Sequence, residues 1–361
     1  MIFHASAMNR IVRCPASVRL IAKAPKLKKD RSDADFGIDA HKVSASILKD
    51  KWIPTCDSIE IQNTIGEYVK FCQDIMKKTS NYWIEDALSM TLLDSAAEKE
   101  IKLNGTPDFA ALVDGTLHVV DLKIGYAWVE PYENYQLLSY AALLIAKDNF
   151  KFDKIKVTIV QPRANHPEGT IRSDTLGRNE FGYETWRIQD ALFKAAGKYS
   201  KTTTGPQCAY CDGIPICRAN QMATHAAFEV SCSELESQLN GAFLSRELEM
   251  MTEASRLIKY RGIAVEALAK QHLREGKEVP GYQLVPTKTA RKWIVKDPIS
   301  AGKELGVDLA KPAAAITPTQ AKNSGILSGF FVKVLSKREE GPEKLKKIDI
   351  NSIKEKIKNA D

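Results

Sequence analysis

The stretch from Asn104 to Lys123, NGTPDFAALVDGTLHVVDLK, constrains the fold more than any other part of this 361-residue chain. Asp114-Gly115 is among the strongest two-residue hairpin signals, because both turn positions favour positive φ and alternating apolar residues flank the pair on either side. A turn centred there sets the register. Asp108 then faces Asp121 across the hairpin, on the face that also carries Ala110, Leu112, Leu117 and Val119. Carboxylates directly opposite one another on a sheet repel, with Cβ atoms only about 5 Å apart, so the arrangement needs a cation, a shared proton or solvent. Lys123 follows Asp121 by two residues and points to the same face. Two carboxylates and one lysine thus converge at the open end of one hairpin.

A divalent cation between Asp108 and Asp121 would turn repulsion into coordination, since hard cations such as magnesium or manganese take carboxylate, carbonyl and water oxygens. The Leu122 carbonyl lies between Asp121 and Lys123 and offers a further ligand. Lys123 is then placed to hold or deprotonate the water that attacks a phosphodiester, while the metal offsets charge on the phosphate. Taken alone, an Asp-x-Lys tripeptide at a hairpin mouth is more often simply solvated; the opposed register is what points to metal-assisted hydrolysis.

Around the hairpin the pattern predicts a mixed α/β core. Ala40, Val43, Ser44, Ile47 and Leu48 have helical spacing, which puts His41 on the first turns of a helix. A second helix is predicted from about Ile61 to Lys78. Strands are expected loosely over Trp83 to Leu92 and over Glu100 to Asn104. Glu133 to Ala146 reads as a helix and Lys156 to Val160 as a buried strand, so strand, helix and strand imply a crossover within one sheet. A helix from Ile188 to Tyr199 leads to a turn-rich linker, Thr202 to Pro206. From Ser233 long helical patterns dominate, with a short β pair expected between Gly281 to Pro286 and Lys292 to Val295, an N-cap at Thr317-Pro318, and a solvated helix or frayed end beyond Lys337. The expected domains are 1–232 and a mainly helical accessory region, 233–361. Lys288, Arg291, Lys292 and Trp293 interleave base with an aromatic, as single-strand binders do, although a solvated strand edge explains them as well.

Gly105-Thr106-Pro107-Asp108, Asp121-Leu122-Lys123 and Gln136-Leu137-Leu138-Ser139-Tyr140 together resemble the P-D, (D/E)-x-K and Q-x-x-x-Y series of the PD-(D/E)XK nuclease superfamily, in its RecB-type branch. The run from Cys14-Pro15 to Arg163, with the Gly281-Tyr282 and Arg291-Lys292-Trp293 segments, further resembles a phage-borne family of RecB-like nucleases. The resemblance implies a restriction-endonuclease-like mixed sheet flanked by helices. It implies His41, Asp108 and Asp121 as metal ligands, Lys123 as the catalytic lysine, and Gln136 and Tyr140 as helix residues that touch DNA backbone or brace the site. It also implies DNA as substrate, exonuclease action on DNA ends in phage recombination or replication, and a partner protein from that setting. On their own, His41, Gln136 and Tyr140 are ordinary surface or packing residues. Asp121 stands where the branch more often has Glu.

Cys208-x2-Cys211-x5-Cys217 forms a second constellation, three thiols within ten residues with Gly213 and Pro215 forcing turns between them. Structural zinc and iron-sulfur clusters both require a fourth ligand. One N-terminal cysteine plus three C-terminal ones is the pattern of iron-sulfur RecB-type nucleases, which implies Cys14 and favours a [4Fe-4S] cluster in a mainly structural role. Zinc, with Cys232 or His225 in place of Cys14, is the rival. Cys56 and Cys72 read as ordinary buried cysteines.

The formal charge of +7 is compatible with a polyanionic partner and does not require one. The longest apolar stretches, such as Ala141 to Ala146, fall far short of the roughly 20 residues of a membrane span, and His4, Asn9, Arg10 and Arg13 interrupt any signal segment. The expected location is the cytoplasm, that of a bacterial host if the gene is phage-borne. Two other functions stay open: a nuclease-fold protein that grips DNA without cutting, and a zinc-stabilised assembly protein whose C-terminal helices make an oligomer.

Overall fold

The computed structural model describes residues 1–27, 32–49, 59–94, 99–197, 200–231, 241–288, 292–295, 297–311, 314–315, 317–337 and 340–347. Cys56, Cys232 and Arg291 lie outside them. The chain divides into two compact units, 1–265 and 266–361.

The first unit is built on strands β1 (Ile2–His4), β2 (Tyr82–Ile84), β3 (Leu88–Asp94), β4 (Lys99–Gly105), β5 (Phe109–Val113), β6 (Thr116–Leu122), β7 (Lys154–Val160) and β8 (Ile171–Gly177). Its helices are α1 (Met8–Arg13), α2 (Ser17–Lys23), α3 (Ser32–Leu48), α4 (Ile59–Met76), α5 (Tyr135–Asp148), α6 (Arg178–Ala196), α7 (Arg218–Ser231) and most of α8 (Gly241–Arg274). One sheet runs β2-β5-β6-β7-β8 and a smaller one β1-β4-β3. The β5–β6 hairpin turns at Asp114-Gly115, both at positive φ, and pairs Phe109 with Val120 through Val113 with Thr116, the register expected from the turn. β6 and β7 are parallel, joined through α5.

The alternation along the hairpin separates two cores. Ala110, Leu117 and Val119 pack with α5 residues Leu137, Tyr140, Ala141 and Leu144. Phe109, Ala111, Val113, Val120 and Leu122 face the other way, against Ala40, Ile65, Tyr68 and Val69 of α3 and α4. The result is the expected mixed α/β architecture, a sheet with helices on both faces. α5 begins where the Asn134 side chain accepts from Leu137 N–H, an N-cap. It ends at Asn149 in the left-handed region.

Trp83 to Leu92, expected as one loose strand, is two strands in different sheets, broken at Glu85, whose φ is +50°. In the second unit, Gly281 to Pro286 and Lys292 to Val295 do not pair with each other. Tyr282–Lys288 pairs with Glu340–Lys347, and Lys292–Trp293 with Ser336–Lys337. The tail strand replaces the expected helix or frayed end; residues 348–361 lie outside the described ones. Its sequence, EGPEKLKK, has no period-two alternation, and Pro342, which cannot donate to a ladder, sits in the register shift between Gly341 and Lys344. Thr317 caps the helix Pro318–Asn323 as expected, accepting from Gln320 N–H. A small core of Leu309, Ala321, Leu327 and Val332 holds this unit. Among the described residues, no helix is long and apolar enough to cross a membrane.

Candidate metal-binding active site

The hairpin mouth is assembled by close packing beneath α5. At Gly105, the last residue of β4, a Cβ would lie 2.9 Å from Tyr140 ring carbons and from Leu143 Cδ1, so only glycine lets the helix approach. The chain then enters the hairpin through Asp108, whose Oδ2 accepts from Leu122 N–H at 2.8 Å. This bond ties one acid to the peptide that follows the other. It also sets the Asp108 carboxylate beside the Leu122 backbone.

On one side, His41 of α3 brings Nδ1 to 3.1 Å from Asp108 Oδ1. On the other, Lys123 Nζ lies 2.6 Å from Asp121 Oδ2. Gln136, on the first turn of α5, settles the amide orientation by three contacts. Its Oε1 accepts from Lys123 Nζ at 3.3 Å, while Nε2 donates to Asp121 Oδ1 at 3.2 Å and to the Tyr140 hydroxyl at 2.9 Å. Thus His41, Asp108, Asp121, Leu122, Lys123, Gln136 and Tyr140, named from the sequence, meet in one place.

The electrostatics follow from burial. Asp121 is 1% exposed, and burial, joined by repulsion from Asp108, pushes its pKa up to about 6 against the pull of Lys123. Burial opposes the charge on Lys123, but Asp121 and Asp108 outweigh it and hold the ammonium above the ordinary lysine range. For His41 burial again opposes charge, and the hydrogen bond and field of Asp108 raise it to about 9.

Glu85 was missed by the sequence reading. Continuing the Ile84–Phe109 pairing of β2 with β5 by one residue places Glu85 opposite Asp108, and its N–H donates to Pro107 O at 3.1 Å. Its Oε1 lies 4.0 Å from His41 Nδ1. Burial, then the Asp108 charge, pushes its pKa up to about 7. Among the described residues, His41, Glu85 and Asp108 are the one group of three or more whose ligand atoms all lie within 4.8 Å of one another. The signal that would have revealed Glu85 is the pairing of β2 with β5, from which its place follows as that of Asp121 did from the hairpin. A nitrogen and two carboxylates around a cavity of about 520 Å³ fit a divalent cation. Asp121 stands next to this group with its oxygens engaged by Lys123 and Gln136.

Cys14 follows α1, Cys208 lies in the 3₁₀ turn Pro206–Tyr210 with Cys211 just after it, and Cys217 follows the 3₁₀ turn Ile214–Ile216. Cys14, Cys208 and Cys217 are buried and Cys211 is half-buried. Burial raises the Cys208 and Cys211 thiols; Cys14 and Cys217 add to the effect at Cys208, and Cys208 and Cys14 at Cys211. The four are therefore neighbours. Thr203 N–H donates to Cys14 Sγ at 3.5 Å, and Gly213 packs so closely on α2 that a Cβ would meet Leu20 Cβ at 2.8 Å. His225 is exposed on α7, and Cys72 is fully buried against Tyr68 on α4.

The sequence from 2 to 305 matches the family described as "Protein of unknown function (DUF2800)". No curated protein matches the chain. Among solved structures, the one described as "Crystal structure of SSO0001" is similar at a TM-score of 0.32 and 16% identity, over 60% of this chain and 86% of that one. A phage related exonuclease from Haemophilus somnus 129PT is similar at a TM-score of 0.25 and 12% identity, over 54% of this chain and 92% of that one.

Proposed function

We propose that this chain, which belongs to the DUF2800 family, is a metal-dependent deoxyribonuclease that degrades DNA from its ends. The observation that carries the reading is the buried Asp121–Lys123 pair set beside Asp108, with His41 and Glu85 on the far side. Acids gathered in this way repel one another and a phosphate backbone, so they serve a binding module poorly and a cation well.

His41, Glu85 and Asp108 would hold magnesium or manganese, with Asp121 and the Leu122 carbonyl beside them. When bound, the ion supplies positive charge to the scissile phosphate and acidifies a water. Lys123 Nζ would donate to the attacking water and to the phosphate oxygens. Asp121 and Gln136 keep the ammonium in place, and Tyr140 fixes the Gln136 amide. The four-cysteine module is proposed to carry a [4Fe-4S] cluster that staples α1 to the 206–217 segment. Four thiolates suit a single zinc ion as well as a cluster by ligand number, and the cluster is proposed from the pattern of one N-terminal and three C-terminal cysteines. The biological setting proposed is the processing of DNA ends in phage recombination or replication.

The test uses anaerobically purified protein with end-labelled linear and closed circular DNA, in magnesium, manganese or EDTA, beside Asp121→Ala. The expected result is metal-dependent loss of the linear DNA alone, absent in the variant. Cleavage that survives in Asp121→Ala would sink the site. A protein with its metal centre intact that binds DNA and leaves it uncut would be a nuclease-fold binding protein instead.

A further inference from the structure

A groove with a cavity of about 670 Å³ opens on the Lys123 side of the acids, away from the His41 side. Lys123 and Gln136 line it. α1 contributes Arg10 and Arg13, the loop between β6 and α5 contributes Trp128 and Tyr132, and the cysteine module contributes Tyr210. These three aromatic residues are 57%, 70% and 74% exposed. Trp128 packs edge-to-face on His166, with ring centroids 4.7 Å apart, yet all three rings stay open to water, two on the β6–α5 loop and one on the cysteine module, around one groove that leads to the site.

The loop that carries Trp128 is held from below by a buried polar side chain. Gln161 Nε2 donates to the carbonyls of Gly125 and Ala127, both at 2.7 Å. Its Oε1 accepts from Val129 N–H at 3.2 Å and from Arg172 at 2.8 Å. Tyr210 sits in the turn between Cys208 and Cys211, close enough for its hydroxyl to act on the Lys123 charge. Two carboxylates also line the groove, and both are engaged: Glu133 with Arg13 and Arg187, Glu130 with His166 and Arg172. The space has the size of a ligand pocket rather than of a channel for a duplex. Bases in a duplex are already stacked on one another, so only an unpaired strand can offer base faces to these rings.

We infer that this groove grips an unpaired nucleic-acid strand by stacking bases on Trp128, Tyr132 and Tyr210 and leads it to Lys123, with one wall supplied by the cysteine module. The choice of polymer rests on the nuclease reading above. The stacking grip has its own test, and it gives the cysteine module a part in holding substrate as well as in stability.

The experiment measures fluorescence anisotropy of a labelled oligothymidylate and of a duplex of equal length, in EDTA at low ionic strength, with the full chain purified anaerobically. The single strand is expected to bind at least ten-fold more tightly than the duplex. Trp128→Ala and Tyr210→Ala should each weaken single-strand binding roughly ten-fold, in line with the loss of one base stack. Tyr210→Phe should retain it, and so should Tyr183→Ala, which removes an exposed ring on α6 outside the groove. Thermal melts matching wild type establish that the variants are folded. Equal affinity for the two DNAs, or unchanged binding in both alanine variants, overturns the proposal. Asp121→Asn separates the two readings: it should bind the single strand and not cut it. If Asp121→Asn cuts normally while Trp128→Ala loses binding, the catalytic site fails and the grip stands.

Discussion

Glu85 adopts a left-handed backbone conformation, at a φ of +50°, which costs a non-glycine residue on the order of 1–2 kcal/mol. The turn delivers its carboxylate next to Asp108, where burial and the neighbouring charge push its pKa up to about 7. Its folded-state pKa is therefore raised above the unfolded value. The stability it contributes is full below the unfolded value of roughly 4.3 and is lost as pH rises through about 7. Glu85→Gln should accordingly raise the thermal midpoint of EDTA-treated protein at pH 8 and change it little at pH 5. Because the side chain is partly exposed, the gain at pH 8 is put at about 1 kcal/mol, well below the value of the full shift. The same variant should bind manganese more weakly in calorimetry. Equal thermal shifts at both pH values would mean that burial and the Asp108 charge do not raise the Glu85 carboxyl. The residue also marks where sequence reading stops. Asp121 is found from a turn six residues away, whereas Glu85 comes opposite Asp108 only through a pairing of β2 with β5 that skips over β3 and β4.

At the scale of elements, the site depends on how closely α5 lies over Gly105. Gly105→Ala should cost about 1–3 kcal/mol by overpacking and push the Tyr140 ring away from Gln136, so melting temperature and cleavage rate should fall together. Gly182→Ala is the contrast: within α6 nothing lies within 4 Å of the added Cβ, and replacing a helical glycine should stabilise by about 1 kcal/mol. Cleavage that persists in folded Gly105→Ala would remove Tyr140 from the machinery. The elements legible in advance were those with local signals: the Asp-Gly turn, the 3.6-residue period of α5, and the cap at Thr317. The strand Glu340–Lys347 was not legible, because its lysines and Pro342 carry no alternation and its partner Tyr282–Lys288 lies far back in the chain. β8 was overlooked for a related reason; IRSDTLG is mostly polar, as an edge strand beside β7 can be.

At the scale of the whole molecule, the cysteine module joins distant parts of the first unit. Cys208, Cys211 and Cys217 could be grouped from spacing alone, but nothing local ties them to Cys14, and only the family resemblance did so. If the proposed cluster is held there, Cys14→Ala and Cys208→Ala should each lower the thermal midpoint of anaerobic protein and its iron content. The double variant should do little more than either one, because both act on the same centre. Additive losses with unchanged metal content would reduce the four cysteines to ordinary packing. The bond from Thr203 to Cys14 Sγ spans 189 positions, and this separation orders events on the ribosome. α1 emerges first and must wait for α5, α6 and the 203–217 segment, while the β5–β6 hairpin can close from contacts within twenty residues. A nascent chain therefore acquires its acids and lysine early and the far wall of the groove last, so the ability to hold a strand is completed only when nearly all of the first unit has been made.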